Sequence, residues 1–399
     1  MSPARPFDVV VVGGCGHVGL PLALAFADRG LRTVAYDIND VVVKHVMTGA
    51  MPFREDGAAE MLDRALAAGT FRASTDPSVV AGADAVVMVI GTPVDEHLNP
   101  DAHAVPRALE EISPHLSDGQ LLVLRSTVYP GVTRRVEQLL RDLGLQLDVA
   151  FCPERIAEGR AMAELFALPQ IVSARSPEVR ARAGALFRKL SDSVVELEPE
   201  EAELAKLFTN TWRYIKFAAA NQFFIMANDH GLDYERIRHA ITYDYPRAAD
   251  LPGAGFAAGP CLFKDTMQLA AFTDNTFVLG HAAMLVNEGL PLYLVSNLEK
   301  TYDLSTKTVG ILGTAFKADS DDTRSSLAYK LKKILEFKAR AVLTTDPHVT
   351  TDPALVPLDV VLREADILII GAPHREYATL STAKHVVDVW NLLGGGARV

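Results

Sequence analysis

The run Phe7-Asp8-Val9-Val10-Val11-Val12 leads straight into Gly13-Gly14-Cys15-Gly16-His17-Val18-Gly19, and an apolar helical segment follows from Leu20 to Ala27. The β-branched run reads as a strand buried on both faces of a parallel sheet. Gly14, Gly16 and Gly19 then form GxGxxG between a strand and a helix. Glycines in that setting let the backbone turn tightly and approach a pyrophosphate seated on the helix N-terminus. Thr33-Val34-Ala35-Tyr36-Asp37 reads as a second strand closing on an acid at about the expected distance. A carboxylate there accepts hydrogen bonds from both ribose hydroxyls and repels a 2′-phosphate, so NAD is expected over NADP. The alternative reading is a glycine turn that only packs helix on sheet.

Two further strands are expected, Asp84 to Ile90 before Gly91-Thr92-Pro93, and Leu121 to Leu124 before Arg125-Ser126-Thr127-Val128. Both place a small hydroxyl residue at a strand C-terminus, where doubly wound sheets bind ligands. Thr92 and Thr127 can contact a cofactor or a catalytic water, or can serve as cap and turn residues. In Cys152-Pro153-Glu154-Arg155-Ile156-Ala157-Glu158-Gly159, two carboxylates stand four positions apart and would share a face if the segment is helical. One of them can act as a general base. A solvated acidic turn is the other reading.

A chain of 399 residues has room for two or three domains. The formal net charge of -11 argues against a nucleic-acid partner. Three widely spaced cysteines, Cys15, Cys152 and Cys261, make neither a disulfide framework nor a CxxC zinc pattern. A reducing cytoplasm fits them, and no metal is expected. No uninterrupted apolar run reaches the roughly 18 residues of a membrane span, and no signal peptide is read at the N-terminus, so no membrane partner is expected.

From about Glu200 the pattern changes to one long helical period that runs to Asp229 with few breaks. A helix of that length bridges domains or builds a dimer seam. Lys206, Asn210 and Tyr214 fall at i, i+4 and i+8 on one stripe. A lysine and an asparagine there can stabilise a developing oxyanion, or the lysine can simply face solvent. Next comes the loop Gly255-Phe256-Ala257-Ala258-Gly259-Pro260-Cys261-Leu262-Phe263-Lys264-Asp265. Two glycines and a proline restrict its backbone. A thiolate is a strong nucleophile and a nearby ammonium lowers thiol pKa, so Cys261 is a candidate covalent catalyst. A small core hydrophobe in a helix-entry turn is the plainer reading.

Thr266 to Asn297 again reads as mostly helical, and Thr308 to Gly313 opens a second α/β unit. Strand-like runs recur at 341–344, 367–370 and 386–389, separated by helical stretches such as 326–337. The first turn, Gly313-Thr314-Ala315-Phe316-Lys317, precedes Asp321-Asp322-Thr323-Arg324. Lys317 and Arg324 near a strand end suit a phosphate or nucleotide. The fold class is α/β: two doubly wound, Rossmann-like domains joined by a long central helix and a helical dimerisation domain. The boundaries expected are 1–198, 199–303 and 304–399.

Taken together, these motifs resemble the UDP-glucose/GDP-mannose dehydrogenase family, the nucleotide-sugar 6-dehydrogenases, over nearly the whole chain. The resemblance rests on the Gly14/Gly16/Gly19 turn, Gly91-Thr92-Pro93, Ser126-Thr127-Val128, Pro153-Glu154 with Glu158-Gly159, Lys206 with Asn210, Gly259-Pro260-Cys261 with Lys264-Asp265, and Gly313 to Arg324. It implies a four-electron oxidation of a sugar C6 alcohol to a carboxylate with two NAD. Cys261 would attack the C6 aldehyde, giving a thiohemiacetal and then a thioester. Lys206 and Asn210 would support the oxyanions, Asp265 and Thr127 would hold a water, and Glu154 would be the base for thioester hydrolysis.

The resemblance further implies cofactor contacts from Gly14, Gly16, His17, Val18, Gly19, Asp37, Thr92, Thr127, Glu158 and Lys264. Substrate contacts would come from Glu154, Arg155, Lys206, Asn210, Arg247, Gly255, Phe256, Gly259, Phe316, Lys317 and Arg324. The arginine at 324 would reach in from a partner subunit of a homodimer built on the central helices. The stretch 255–261 is one residue longer than usual, with alanines, and Phe263 stands where proline is common. Cys-Pro-Glu-Arg-Ile-Ala-Glu-Gly points to UDP-N-acetylmannosamine as the sugar, whereas Lys264-Asp265 also suits UDP-glucose. A two-electron hydroxyacid dehydrogenase and a non-catalytic nucleotide-sugar binder are the other classes with this architecture.

Overall fold

The computed structural model describes residues 5–92, 101 and 103–399. Pro93 of the Gly91-Thr92-Pro93 motif therefore lies outside the described residues. The described chain forms two compact units, residues 1–208 and 209–399.

In the first unit, β1 (Phe7–Val12), α1 (Gly19–Asp28), β2 (Thr33–Tyr36), α2 (Asp40–Met47), α3 (Ala58–Ala68), β3 (Phe71–Ser74) and β4 (Ala83–Met88) come first. Then follow α4 (Ala104–Ile112), β5 (Leu121–Leu124), α5 (Val132–Asp142), β6 (Asp148–Phe151), α6 (Ala161–Ala167), β7 (Gln170–Ala174), α7 (Pro177–Phe187) and β8 (Val194–Leu197). The eight strands make one sheet in the order β3-β2-β1-β4-β5-β6-β7-β8. All neighbours are parallel except β6 and β7. On β1, Val9 and Val11 enter one core while Val10 and Val12 enter the other. An unbroken apolar strand covered on both faces requires this arrangement.

The antiparallel β7 brings its first residue, Gln170, to the sheet end where β5 and β6 finish. Arg125 fills that corner and is 1% exposed. Its Nε donates to Glu154 at 3.0 Å, its Nη1 to the Cys152 carbonyl at 2.9 Å and its Nη2 to Gln170 at 3.0 Å. A second Nη2 bond reaches Glu154, and the guanidinium lies 4.6 Å from the centre of the Phe187 ring. A buried charge pair holds its place when further hydrogen bonds support the ions, and Arg125 makes four side-chain bonds here. The helical alternative for 154–158 is not what forms. Pro153 favours an extended residue ahead of it. The Glu154 carboxylate then accepts the Arg155 and Ile156 amides at 2.7 and 3.1 Å, turning the chain away.

The 31-residue α8 (Pro199–Asp229) starts in the first unit and ends in the second, matching the long helix read from the sequence. Its Glu203 accepts the Gly131 and Thr133 amides at 2.7 and 2.8 Å, which caps α5 from outside. In the second unit, α9 (Tyr234–Thr242), α10 (Leu262–Phe272) and α11 (Val278–Leu298) precede β9 (Thr308–Leu312), α12 (Leu327–Glu336) and β10 (Ala341–Thr345). Then come α13 (Leu358–Glu364), β11 (Ile367–Ile370) and β12 (His385–Val387). The four strands are parallel in the order β10-β9-β11-β12. One core joins Phe224 of α8, Leu290 and Leu294 of α11, Leu331 of α12, and Val309 and Ile311 of β9. Among the described residues α11 alone is long and apolar enough to cross a membrane, but its Leu290, Leu294, Val295 and Leu298 lie in this core.

The Arg125→Met chain is expected to lose about 3–5 kcal/mol of stability, because Glu154 is left charged and buried. Arg125→Met/Glu154→Met should recover most of that loss. Urea unfolding of the three chains measures both.

Candidate active site

The glycine turn of the first unit is shaped by contacts that only glycine permits. A Cβ on Gly14 would lie 2.6 Å from the Ala35 Cα, and one on Gly19 would lie 2.1 Å from the Gly13 carbonyl oxygen. At Gly16 a Cβ would meet only the Gly13 carbonyl oxygen, at an ordinary 3.8 Å, so packing does not require a glycine there. Gly14 and Gly19 close the helix onto the strands. Val18 stands at the N-cap of α1 without a side-chain capping bond. The helix N-terminus and the glycine turn before it suit a pyrophosphate, which is where NAD would lie. Asp37 braces the turn: its Oδ2 accepts the Cys15 amide at 3.0 Å and its Oδ1 the Asn39 amide at 3.1 Å.

Other predicted cofactor residues gather at the same sheet end. Thr92 Oγ1 donates to the Thr127 carbonyl at 2.6 Å, and the Ile90 amide donates to Ser126 Oγ at 2.7 Å. The turns after β4 and β5 are thereby cross-braced. His17 stacks on Phe53 with ring centres 4.1 Å apart, and its Nδ1 is 3.2 Å from Glu158 Oε1. Glu55 was not singled out from the sequence. It accepts the Gly159 and Ala161 amides, each at 2.7 Å, and so shapes the Glu158 loop. Its acid and the following Asp56-Gly57 offered no local period to find it by. Arg155 turns its guanidinium back onto the Pro169 carbonyl.

The second unit carries the cysteine loop. Burial, with Asp37 nearby, pushes the Cys15 thiol up to about 12, and burial pushes the Cys152 thiol up to about 12 as well. Neither is a usable thiolate near neutrality. Cys261 is exposed and stands at the N-cap of α10, where the helix dipole favours an anion. One turn on, Asp265 is fully buried. Its Oδ2 accepts from Asn210 Nδ2 at 2.5 Å and its Oδ1 lies 3.2 Å from Lys264 Nζ. Asn210 and Lys206 are one turn apart on α8, and both are buried. The stripe read from the sequence is thus a buried polar row, not a solvated face.

The loop ahead of Cys261 is held at two glycines. The Gly255 amide donates to Asn221 Oδ1 and its carbonyl accepts from Asn221 Nδ2, both at 2.9 Å. Asn221 also donates to Asn287 at 2.9 Å, and Asn287 donates to the Tyr214 carbonyl at 3.0 Å. Gly255 has φ +147° and a Cβ there would stand 2.2 Å from the Trp390 ring. Gly259 has φ +97°, and a Cβ there would stand 2.6 Å from the Phe316 ring. Its amide donates to the Ser325 carbonyl at 3.3 Å. Phe256 meets Trp390 edge to face, with ring centres 6.1 Å apart. Asn221 and Trp390 escaped the sequence reading because their partners are 34 and 135 positions away from them along the chain, beyond any local pattern. Lys317 Nζ lies 5.6 Å from the Phe316 ring centre, and Arg324 Nη2 reaches Asp322 at 2.6 Å. Arg247 Nη1 donates to the Tyr245 hydroxyl at 3.1 Å.

Compared with known proteins, residues 8–191 match the NAD binding domain of the UDP-glucose/GDP-mannose dehydrogenase family, 200–288 its central domain and 310–395 its UDP binding domain. The chain belongs to that family, whose members are NAD-dependent oxidoreductases of nucleotide sugars, and NAD is its cofactor. A UDP-N-acetyl-D-mannosamine dehydrogenase of Pyrococcus horikoshii is 31% identical over 387 residues, covering 93% of this chain and 91% of its own. That of Escherichia coli K12 is 29% identical over 423 residues, covering 96% and 99%. Among solved structures, a UDP-glucose dehydrogenase from Pyrobaculum islandicum superposes with a TM-score of 0.90 at 27% identity, covering 97% of this chain and 95% of its own. The Pyrococcus horikoshii enzyme structure gives 0.87 at 29% identity, covering 94% and 91%.

Gly255→Ala is expected to destabilise the chain by about 1–3 kcal/mol through overpacking. In a Trp390→Ala background the same change should cost less, because the ring clash is gone and only the strained φ remains. A double-mutant cycle by urea unfolding reads the coupling.

Proposed function

We propose that this chain oxidises the C6 hydroxyl of UDP-N-acetyl-D-mannosamine to the carboxylate through a thiohemiacetal and a thioester on Cys261. The observation that carries the chemistry is Cys261 itself: it alone of the three cysteines is exposed, at a helix N-terminus. The sugar is argued from relatives of that name at 29–31% identity over more than nine-tenths of the chain. The similarity to a UDP-glucose dehydrogenase at TM-score 0.90 makes UDP-glucose the second reading.

Bound NAD supplies hydride acceptance, and two are reduced per sugar. The chain's own groups do the rest. A base removes the proton of the C6 hydroxyl as the alcohol becomes an aldehyde. The Cys261 thiolate adds to the aldehyde carbon, so the intermediate is held covalently between the two oxidations. Loss of the second hydride leaves a thioester. Water then adds to the thioester carbonyl, the C–S bond breaks, and the carboxylate departs with the thiol restored. Asn210 and Lys206 serve the oxyanions. Asp265 and Thr127 are assigned the water that serves in proton transfer. Glu154 is assigned the hydrolytic base, with Arg125 fixing its carboxylate.

In this reading the Rossmann-like domain 1–198 holds NAD and the C-terminal domain 304–399 holds the nucleotide. The segment 199–303 carries Cys261 and pairs two copies in a homodimer. Exposed Phe208, Trp212, Phe223 and Met226 share one face of α8, and exposed Val278, Leu285 and Leu292 recur every seven residues on α11. Apolar faces of that extent are what a subunit interface covers. The reducing cytoplasm is the compartment proposed for a thiol catalyst.

The test is NADH formed per sugar consumed, with UDP-N-acetyl-D-mannosamine, UDP-N-acetylglucosamine, UDP-glucose and GDP-mannose in turn. Two NADH per UDP-N-acetyl-D-mannosamine, with Cys261→Ser lowering turnover at least about a hundredfold, is expected. One NADH per sugar, or turnover indifferent to Cys261, contradicts the covalent route. Binding without any NADH identifies a binding protein instead.

A further inference from the structure

Three turns at the C-terminal end of the second sheet gather two imidazoles and two carboxylates that the proposed chemistry does not use. Asp319 comes from the turn after β9, His348 from the turn after β10, and His374 with Glu376 from the turn after β11. Each of the four offers one ligand atom, and these atoms all lie within 4.8 Å of one another. His348 Nε2 is 3.2 Å from Glu376 Oε1, and the two imidazoles meet edge to face with ring centres 5.0 Å apart. The sequence leads to no metal being expected because positions 319, 348, 374 and 376 make no ligand spacing, and only the sheet brings them together.

Behind this cluster stands a carboxylate that orients it. Asp346 Oδ2 is 3.0 Å from His374 Nε2, and both side chains are fully buried. Asp346 Oδ2 also accepts the Thr314 and Ala315 amides at 2.6 and 3.0 Å, and its Oδ1 accepts the His348 and Val349 amides at 2.8 and 3.1 Å. Burial opposes ionisation of Asp346, but the His374 hydrogen bond and these amides outweigh it and hold the carboxyl well below the usual range. An ionised carboxylate only accepts, so the ring proton of neutral His374 is on Nε2 and Nδ1 keeps its lone pair. A carboxylate placed behind an imidazole in this way fixes the tautomer and raises the basicity of the ring as a metal ligand. Through its bond to the His348 amide, the same carboxylate also holds the backbone that carries the second imidazole.

We propose that Asp319, His348, His374 and Glu376 form a binding site for one divalent transition-metal ion, of the class of Zn²⁺ and Co²⁺, which clamps the three turns together. Two imidazole nitrogens and two carboxylate oxygens suit such ions, whereas Mg²⁺ and Ca²⁺ take oxygen ligands. Metal bonds of about 2.0–2.2 Å set the ligands of a tetrahedral shell about 3.4 Å apart, so the widest pair, within 4.8 Å here, closes by at most about 1.4 Å around the ion. Glu376 is exposed and Asp319 and His348 are half-buried, so their side chains have room to move inward. One hydrogen bond is exchanged in the process. The Asp319 amide donates to His374 Nδ1 at 2.9 Å, and that lone pair passes to the ion. Asp319 Oδ2 takes the Arg375 guanidinium at 2.7 Å, which holds the carboxyl ionised and below its usual range. A carboxylate has about four lone-pair sites, so the arginine and the ion share it. With Asp346 included, three carboxylates face one guanidinium, and the cluster presents net negative charge to a cation.

The test is titration of the untagged full chain with Co²⁺, after treatment with a chelator, followed by visible absorption. One equivalent should bind with a d–d band and without a thiolate-to-cobalt charge-transfer band, which separates this site from Cys261. Zn²⁺ should displace the Co²⁺, and an excess of Mg²⁺ of about a hundredfold should not. Saturating Zn²⁺ should raise the thermal unfolding temperature, as any ligand of the folded state does. Glu376→Gln and His348→Ala should each weaken Co²⁺ binding at least about tenfold, with the far-ultraviolet circular dichroism of the natural chain. Glu376 is exposed, so its substitution tests the site without disturbing the fold. No saturable equivalent, a charge-transfer band that marks Cys261 as the ligand, displacement by Mg²⁺, or natural Co²⁺ affinity in Glu376→Gln overturns the proposal. None of these outcomes depends on which sugar the chain oxidises.

Discussion

The cysteine loop has its shape because two aromatic rings leave no room for side chains beneath it. Trp390 excludes a Cβ at Gly255 and Phe316 excludes one at Gly259. Both glycines then take backbone angles that other residues rarely adopt. The loop's polar groups must still be met, and Asn221 does so by presenting its amide to both sides of Gly255. In the proposed mechanism this restraint fixes the backbone from which the Cys261 thiol would approach a carbonyl carbon. This is pre-organisation in the sense that counts for rate, since misplacement by an ångström costs more than most contacts contribute.

The same logic recurs at the ends of both sheets. In the first unit, Arg125 and Glu154 bridge β5 and β6, Asp37 braces the glycine turn, and Glu55 holds the Glu158 loop. In the second unit, Asp346 and His374 do the equivalent across three strand ends. In each case a carboxylate collects backbone N–H groups from turns that have no ladder of their own. Strand C-termini are where doubly wound folds place ligands, so their loops cannot be buried in a core and are held by hydrogen bonds instead.

Much of this was legible in the chain. The strands at 7–12, 33–36 and 121–124 read clearly because both of their faces are apolar, and the 31-residue α8 read clearly because nothing interrupts it. Strands β6, β7 and β8 were not read: polar residues interrupt their apolar runs, Asp148 in β6, Gln170 and Ser173 in β7 and Glu196 in β8. Cys261, Asp265, Lys206 and Asn210 were legible as chemistry-bearing residues, and the Asn210–Asp265 contact joins two of them. Arg125, Asn221, Glu55 and the Asp346–His374 pair were not legible as site builders. Their meaning lies in partners far along the chain, and an isolated buried arginine or asparagine carries no local signal.

The central claim is that the sugar becomes bonded to Cys261 during turnover. The most direct measurement is peptide mass mapping of the chain after acid quench within the first turnover on UDP-N-acetyl-D-mannosamine and NAD. The peptide containing Cys261 should carry the mass of the oxidised nucleotide sugar, and the peptides containing Cys15 and Cys152 should not. Turnover to the carboxylate with Cys261 unmodified at every quench time, and undiminished in Cys261→Ser, would contradict the account.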